Sequence, residues 1–114
     1  MTFAEVAHKH NLVRNDFYKD FDSYILPNFK SYNNAALIWK SIIRKNTYCS
    51  VTKIIVGQNE NGEPIVSYSG EKWFKTMESL DKHLTKVLRE LPQIMKEYKS
   101  LLVKQKLADI EKDF

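Results

Sequence analysis

The chain has one cysteine, three glycines and three prolines among its 114 residues. A lone Cys49 excludes an internal disulfide framework and any structural zinc site built mainly from thiolates. Three glycines leave no Gly-rich phosphate loop. No stretch approaches the ~18 uncharged apolar residues of a membrane span. The opening MTFAEVAHKH carries Glu5 within its apolar part, unlike a secretory leader. No nucleophile–base pair or metal-ligand set stands out, so an enzyme is not expected, and neither is a cofactor. His8 and His10 point to different sides of a helix. Asp16 and Asp20 share a face but have no third ligand.

What remains is a composition of 43% hydrophobic and 28% charged residues, that of one folded domain. Cytoplasmic localisation and no membrane partner are the expectations. The formal charge is +4, and the stretch from Lys82 to Lys106 holds seven basic groups against two acidic ones. Such an excess is compatible with a polyanion partner, because each phosphate contact releases condensed counterions.

Read in order, residues 2–10 form a short amphipathic helix with Phe3, Val6, Ala7 and His10 at spacings of three and four. Thr2 as N-cap and Glu5 three residues on make a capping box. Asn11 ends the helix in a left-handed conformation. A second helix over Arg14–Tyr24 would carry Phe17, Phe21 and Tyr24 on one face, ending before Pro27. A third over Ala35–Lys45 would bury Leu37, Ile38, Trp39, Ile42 and Ile43. SVTKIIV and PIVSYS, separated by QNENGE, read as a β-hairpin turning at Asn61-Gly62. Pro64 stands near the start of the returning strand, where its missing N–H does least harm.

From Glu71 onward Trp73, Met77, Leu80, Leu84, Val87, Leu91, Ile94, Tyr98, Leu101 and Ala108 follow alternating steps of four and three, with Gln105 the only polar occupant. This is a heptad seam. Its phase passes through Pro92 unbroken, which favours one kinked helix over two antiparallel ones. A continuous helix over 71–108 would be about 57 Å long at ~1.5 Å per residue. That exceeds a domain of this size, so a homodimer across the seam (Trp73 to Leu101) is expected. The fold class is therefore α+β. Residues 1–70 hold the helix pair and hairpin, residues 71–114 the helical dimerisation segment, within one compact unit.

TFAEVAHKHNLVRNDFYKDF resembles a helix-turn-helix DNA-binding motif: Ala7 is the small residue, Asn11 the turn, Leu12 and Phe17 the apolar anchors. NDFYKDFDSYILPNFK is similar to excisionase-like and MerR-type winged helices, in which an aromatic-rich recognition helix leads through a Leu-Pro dipeptide into a basic wing. The match covers about thirty residues. It departs from the pattern at Asn11, Asp20 and Tyr24. The resemblance implies that Arg14, Asn15, Tyr18 and Lys19 sit near the start of a recognition helix. There Arg14 would pair with guanine, Asn15 with adenine, and Lys19 would hold a phosphate. Lys30, Tyr32 and Asn33 would form the wing. A rival placement, similar to PadR-type regulators in element order, would use Lys40, Arg44, Lys45 and Lys53.

The function implied is a small transcription regulator or recombination accessory factor of a phage or mobile element, binding duplex DNA as a dimer. The alternative is a protein-binding inhibitor or adaptor that docks its helical seam or hairpin on a larger target.

Overall fold

A computed structural model describes residues 1–18 and 20–112. In order, the elements are α1 (Phe3–Lys9), β1 (Val13–Arg14), β2 (Ser23–Ile25), β3 (Ile38–Lys40), β4 (Tyr48–Gln58), β5 (Pro64–Phe74), α2 (Met77–Val87) and α3 (Leu91–Lys112). The five strands form an antiparallel meander in the order β1-β2-β3-β4-β5. The mixed α+β class agrees with the sequence. Of the N-terminal helix pair the described residues form the first member, α1, with β1 and β2 at the two ends of the stretch expected as the second.

α1 forms as its sequence dictates. The Glu5 N–H donates to Thr2 Oγ1 at 3.1 Å and the Thr2 N–H to Glu5 Oε1 at 3.2 Å, closing the capping box. Asn11 adopts φ 60°, and the Leu12 N–H returns to the Ala7 carbonyl at 2.9 Å. Phe3 packs at 5.4 Å from the Tyr24 ring and 4.8 Å from Tyr48, seating α1 on the sheet.

The described residues of 14–24 belong to two short strands and the loop between them. Asn15 accounts for the difference: its Oδ1 accepts from the Phe17 N–H at 3.3 Å and its Nδ2 donates to the Asn34 carbonyl at 3.0 Å. Such local side-chain bonds compete with helix formation. Phe17, the expected anchor, is 65% exposed. Residues 35–45 also give no helix. Leu37 and Ile38 are fully buried at strand β3, and Ile42 and Ile43 lie outside the core. A short run apolar on every side fits a buried central strand as well as a helix.

The hairpin is present and longer than its sequence signature, pairing Tyr48↔Phe74 through Gln58↔Pro64. Its turn uses Asn59 as first residue, with the Gly62 N–H donating to the Asn59 carbonyl at 3.0 Å and Gly62 at φ 78°. Asn61 does not need the left-handed conformation, because Asn59 Oδ1 accepts from both Asn61 and Glu63. Along β4 the buried residues Cys49 and Val51 are followed by Ile54 after two exposed ones, Thr52 and Lys53. This phase shift lies opposite Gly70, which has φ 75°. Beyond β2 the chain crosses to the far edge of β5. There the Val66 N–H donates to the Lys30 carbonyl at 2.8 Å and Ser31 bridges Val66, curling the sheet toward closure.

α2 starts at Met77, later than expected, because the hairpin ladder holds Glu71–Phe74 as strand and Thr76 supplies the N-cap to Ser79 at 3.2 Å. Trp73 therefore belongs to β5. At Pro92 the ring crowds the Leu88 carbonyl. The chain tightens into a 3-10 turn over Leu88–Glu90, with Val87, Leu88 and Leu91 all in right-handed helical conformation. α2 and α3 both pack on β4. The core joins α1, the sheet, α2 and the first half of α3.

Candidate functional site

The residues expected to touch DNA separate into two groups. Arg14 lies on β1 with its guanidinium 3.4 Å from Asp22 and donating to the Phe21 carbonyl at 3.3 Å. Asn15 is 3% exposed, too deep to read a base. Tyr18 is exposed, and its hydroxyl donates to the Asn33 carbonyl at 3.4 Å. Lys19 lies outside the described residues. Lys30 and Tyr32 sit elsewhere, beside the hairpin tip. Lys30 Nζ is 2.9 Å from Glu63, whose carboxyl it holds below the usual range, helped by Asn59. The structure thus brings Arg14, Asn15, Tyr18 and Asn33 together and leaves Lys30 and Tyr32 apart. Both described cations of the set are ion-paired.

Of the first group Tyr18 lines a cleft of about 420 Å³, which also takes in Ala35, Ala36 and Val51. Phe21, Trp39 and Tyr68 give it apolar walls, with Ser23, Gly70 and Glu71 among its lining. Burial pushes the Tyr68 hydroxyl pKa up, against a weak bond to Ser31 at 3.4 Å. Ser23 Oγ is buried without a hydrogen-bond partner. Asn33 and Asn34, which precede the lining residues Ala35 and Ala36, both take positive φ, as does Asn28.

The heptad seam has a different fate. Leu80, Leu84, Ile94 and Tyr98 are buried in the chain's own core, and Met77, Val87 and Leu91 are half-buried against it. Leu101 is half-buried and lines a shallow hollow together with Val56 of β4. Tyr98 anchors the crossing segment, its ring 5.0 Å from Phe29 and its hydroxyl accepting from the Lys30 N–H at 3.1 Å. Past Leu102 the helix leaves the core, and Val103, Leu107 and Ile110 are 57%, 55% and 54% exposed.

A third surface was not anticipated. The loop between β3 and β4 carries Ile42 at 74% and Ile43 at 94% exposure, beside Trp73 at 46%. The apolar run AALIWKSII is thus divided between core and solvent, and the sequence signal for the division is the pair of turn-forming residues Ser41 and Asn46.

Cys49 lies buried on β4 between its register partners Trp39 and Trp73. Burial, and secondarily the charge of Glu71, pushes its thiol up to about 11, so it holds no thiolate near neutrality. Asp81 joins α1 to α2, 2.8 Å from Lys9 and 2.7 Å from His10. Among the described residues no group of three or more His, Cys, Asp or Glu is placed to hold a metal ion, and no helix is long and apolar enough to cross a membrane. No family model matches the chain, and neither a curated protein nor a solved structure matches it significantly.

Proposed function

We propose that the protein is a non-enzymatic binding module, an inhibitor or adaptor that docks on a larger protein through the outer face of α3 beyond Leu102. One observation carries this reading: the helix is apolar on two opposite sides. Val103, Leu107 and Ile110 each stand nine residues beyond Ile94, Tyr98 and Leu101, half a turn further round at ~100° per residue. The inner row covers the sheet. The outer row, at i, i+4 and i+7, is exposed and has the spacing by which an amphipathic helix enters an apolar groove. The regulator expected from the sequence rests on a recognition helix over Arg14–Tyr24, a stretch with strands β1 and β2 at its ends.

Leu107→Glu tests the reading. The side chain is exposed, so the urea midpoint stays at the wild-type value. A partner captured on the immobilised wild-type chain, then purified and titrated by calorimetry, should bind the wild type and lose the variant. Its affinity should change little with salt, as an apolar interface requires. Binding to a duplex that falls steeply with salt and is abolished by Arg14→Ala would instead restore the DNA-binding regulator.

A further inference from the structure

We propose that the loop between β3 and β4 is an anchor for an anionic lipid surface. The loop is held rigidly: the Ser41 N–H donates to the Thr47 carbonyl at 2.8 Å, the Arg44 N–H to Ser41 Oγ at 2.9 Å, and Asn46 turns the chain at φ 54°. Thr47 is buried at its base. This fold of the loop holds Ile42 and Ile43 outside the core, and Ile43 at 94% exposure is the most exposed large apolar side chain among the described residues.

Cations accompany the isoleucines, Arg44 and Lys45 following them directly in the loop. Arg44, Lys45 and Lys75 line one hollow with Trp73 and Thr47, and Ser41, Ile43 and Arg44 line another against the same indole. Lys40 is exposed at the end of β3, where the loop begins. None of these four cations forms an ion pair among the described residues.

The company these groups keep identifies the occupant. Two exposed isoleucines, a half-exposed indole and four unpaired cations share one small surface. A bilayer surface offers a partner to each: hydrocarbon, the interface that tryptophan favours, and phosphates. A nucleic acid would press its phosphates against the exposed isoleucines. A second copy of this chain would set cation against cation. No spanning segment is involved; the chain would lie on the surface.

The test uses the whole chain with vesicles of phosphatidylcholine alone and of phosphatidylcholine mixed with phosphatidylglycerol, read by co-sedimentation and tryptophan emission. Wild type should bind the anionic vesicles, with a blue shift, and the neutral ones far less. Arg44→Ala/Lys45→Ala should weaken binding by roughly 30-fold, from the usual contribution of two surface cations. Ile42→Ser/Ile43→Ser should weaken it more than about tenfold and abolish the blue shift, with an unchanged urea midpoint. No binding to anionic vesicles, or binding indifferent to the isoleucine pair, overturns the proposal. So does a labelled duplex that binds through the same cations while vesicles do not. Because Leu107 lies outside the loop, Leu107→Glu should bind vesicles as the wild type does, which keeps this outcome separate from that of the protein-docking reading.

Discussion

Truncating Leu84 to alanine decides whether the helical seam belongs to the inside of one chain. Leu84 is fully buried on α2, in the same core cluster as Leu80, Phe74 and Val51. Deleting a buried isobutyl group removes its transfer free energy and leaves a cavity that the sheet beneath can only partly close. The expected loss is roughly 3–5 kcal/mol. Unfolding entropy near ~2.1 cal/mol/K per residue gives roughly 240 cal/mol/K for 114 residues, so a loss of about 3 kcal/mol lowers Tm by about 12 °C. Urea melts followed by circular dichroism at two protein concentrations provide the assay. For an intramolecular core the wild-type midpoint is independent of concentration and the variant's loss is the same at both. Leu107→Ala, on the exposed row, should stay within about 0.5 kcal/mol of wild type. The reasoning fails if Leu84→Ala costs less than about 1 kcal/mol. It fails equally if the wild-type midpoint rises with concentration and the variant's does not.

Three further perturbations probe other parts of the fold. A Cβ at Gly70 would lie 2.0 Å from Thr52 Oγ1 in a backbone with φ 75°, so Gly70→Ala should cost about 2–4 kcal/mol in a urea melt. Adding Thr52→Ala should recover part of that loss; no recovery would place the strain elsewhere. Asp81 is held below the ordinary carboxylate range by hydrogen bonds from Lys9 first and His10 second. Its contribution is fully present above the unfolded-chain pKa near ~4 and is lost as pH falls through the lower folded value. Stability should therefore drop on acidification toward pH ~3, and Asp81→Asn, about 1–3 kcal/mol less stable at neutral pH, should drop less steeply. Cys49, buried with its thiol at about 11, should react with a disulfide reagent at neutral pH only as fast as the chain opens, and at once in denaturant. Fast native labelling would contradict the burial.

Local signals with a geometric mechanism were legible in the sequence. The Thr2–Glu5 capping box, the left-handed Asn11 and the hairpin around Gly62 all depend on neighbours a few residues away. With glycine scarce, asparagine supplies the positive φ values at 11, 28, 33, 34 and 46, the residue type that tolerates this region after glycine. Apolar spacing was the poorer guide. Phe17, Phe21 and Tyr24 fall on one helical stripe, yet Tyr24 is buried as strand and Phe17 stands in solvent. The stripe carried no information about Asn15, whose side chain holds the loop to Asn34 nineteen residues away.

The choice between strand and helix over these residues also bears on the expected dimer. With residues 14–24 and 35–45 taken as helices, the only sheet left is a two-strand hairpin about 5 Å across at ~4.8 Å between strands. Nothing that narrow can cover a helical segment of such length, and a second copy is then needed to bury the seam. Adding β1, β2 and β3 widens the sheet to five strands, roughly 19 Å across at the same spacing. Leu80 and Leu84 then find β4, and Ile94 and Tyr98 find β4, β5 and the crossing segment at Phe29. The heptad pattern recorded that one side of the helix is covered; which chain covers it depended on strands whose apolar runs read equally well as helix. What the sheet does not reach is the helix beyond Leu102, where Val103, Leu107 and Ile110 stand exposed on the side turned away from it. An intermolecular contact has to be sought on that row, because the inner row already has its partner.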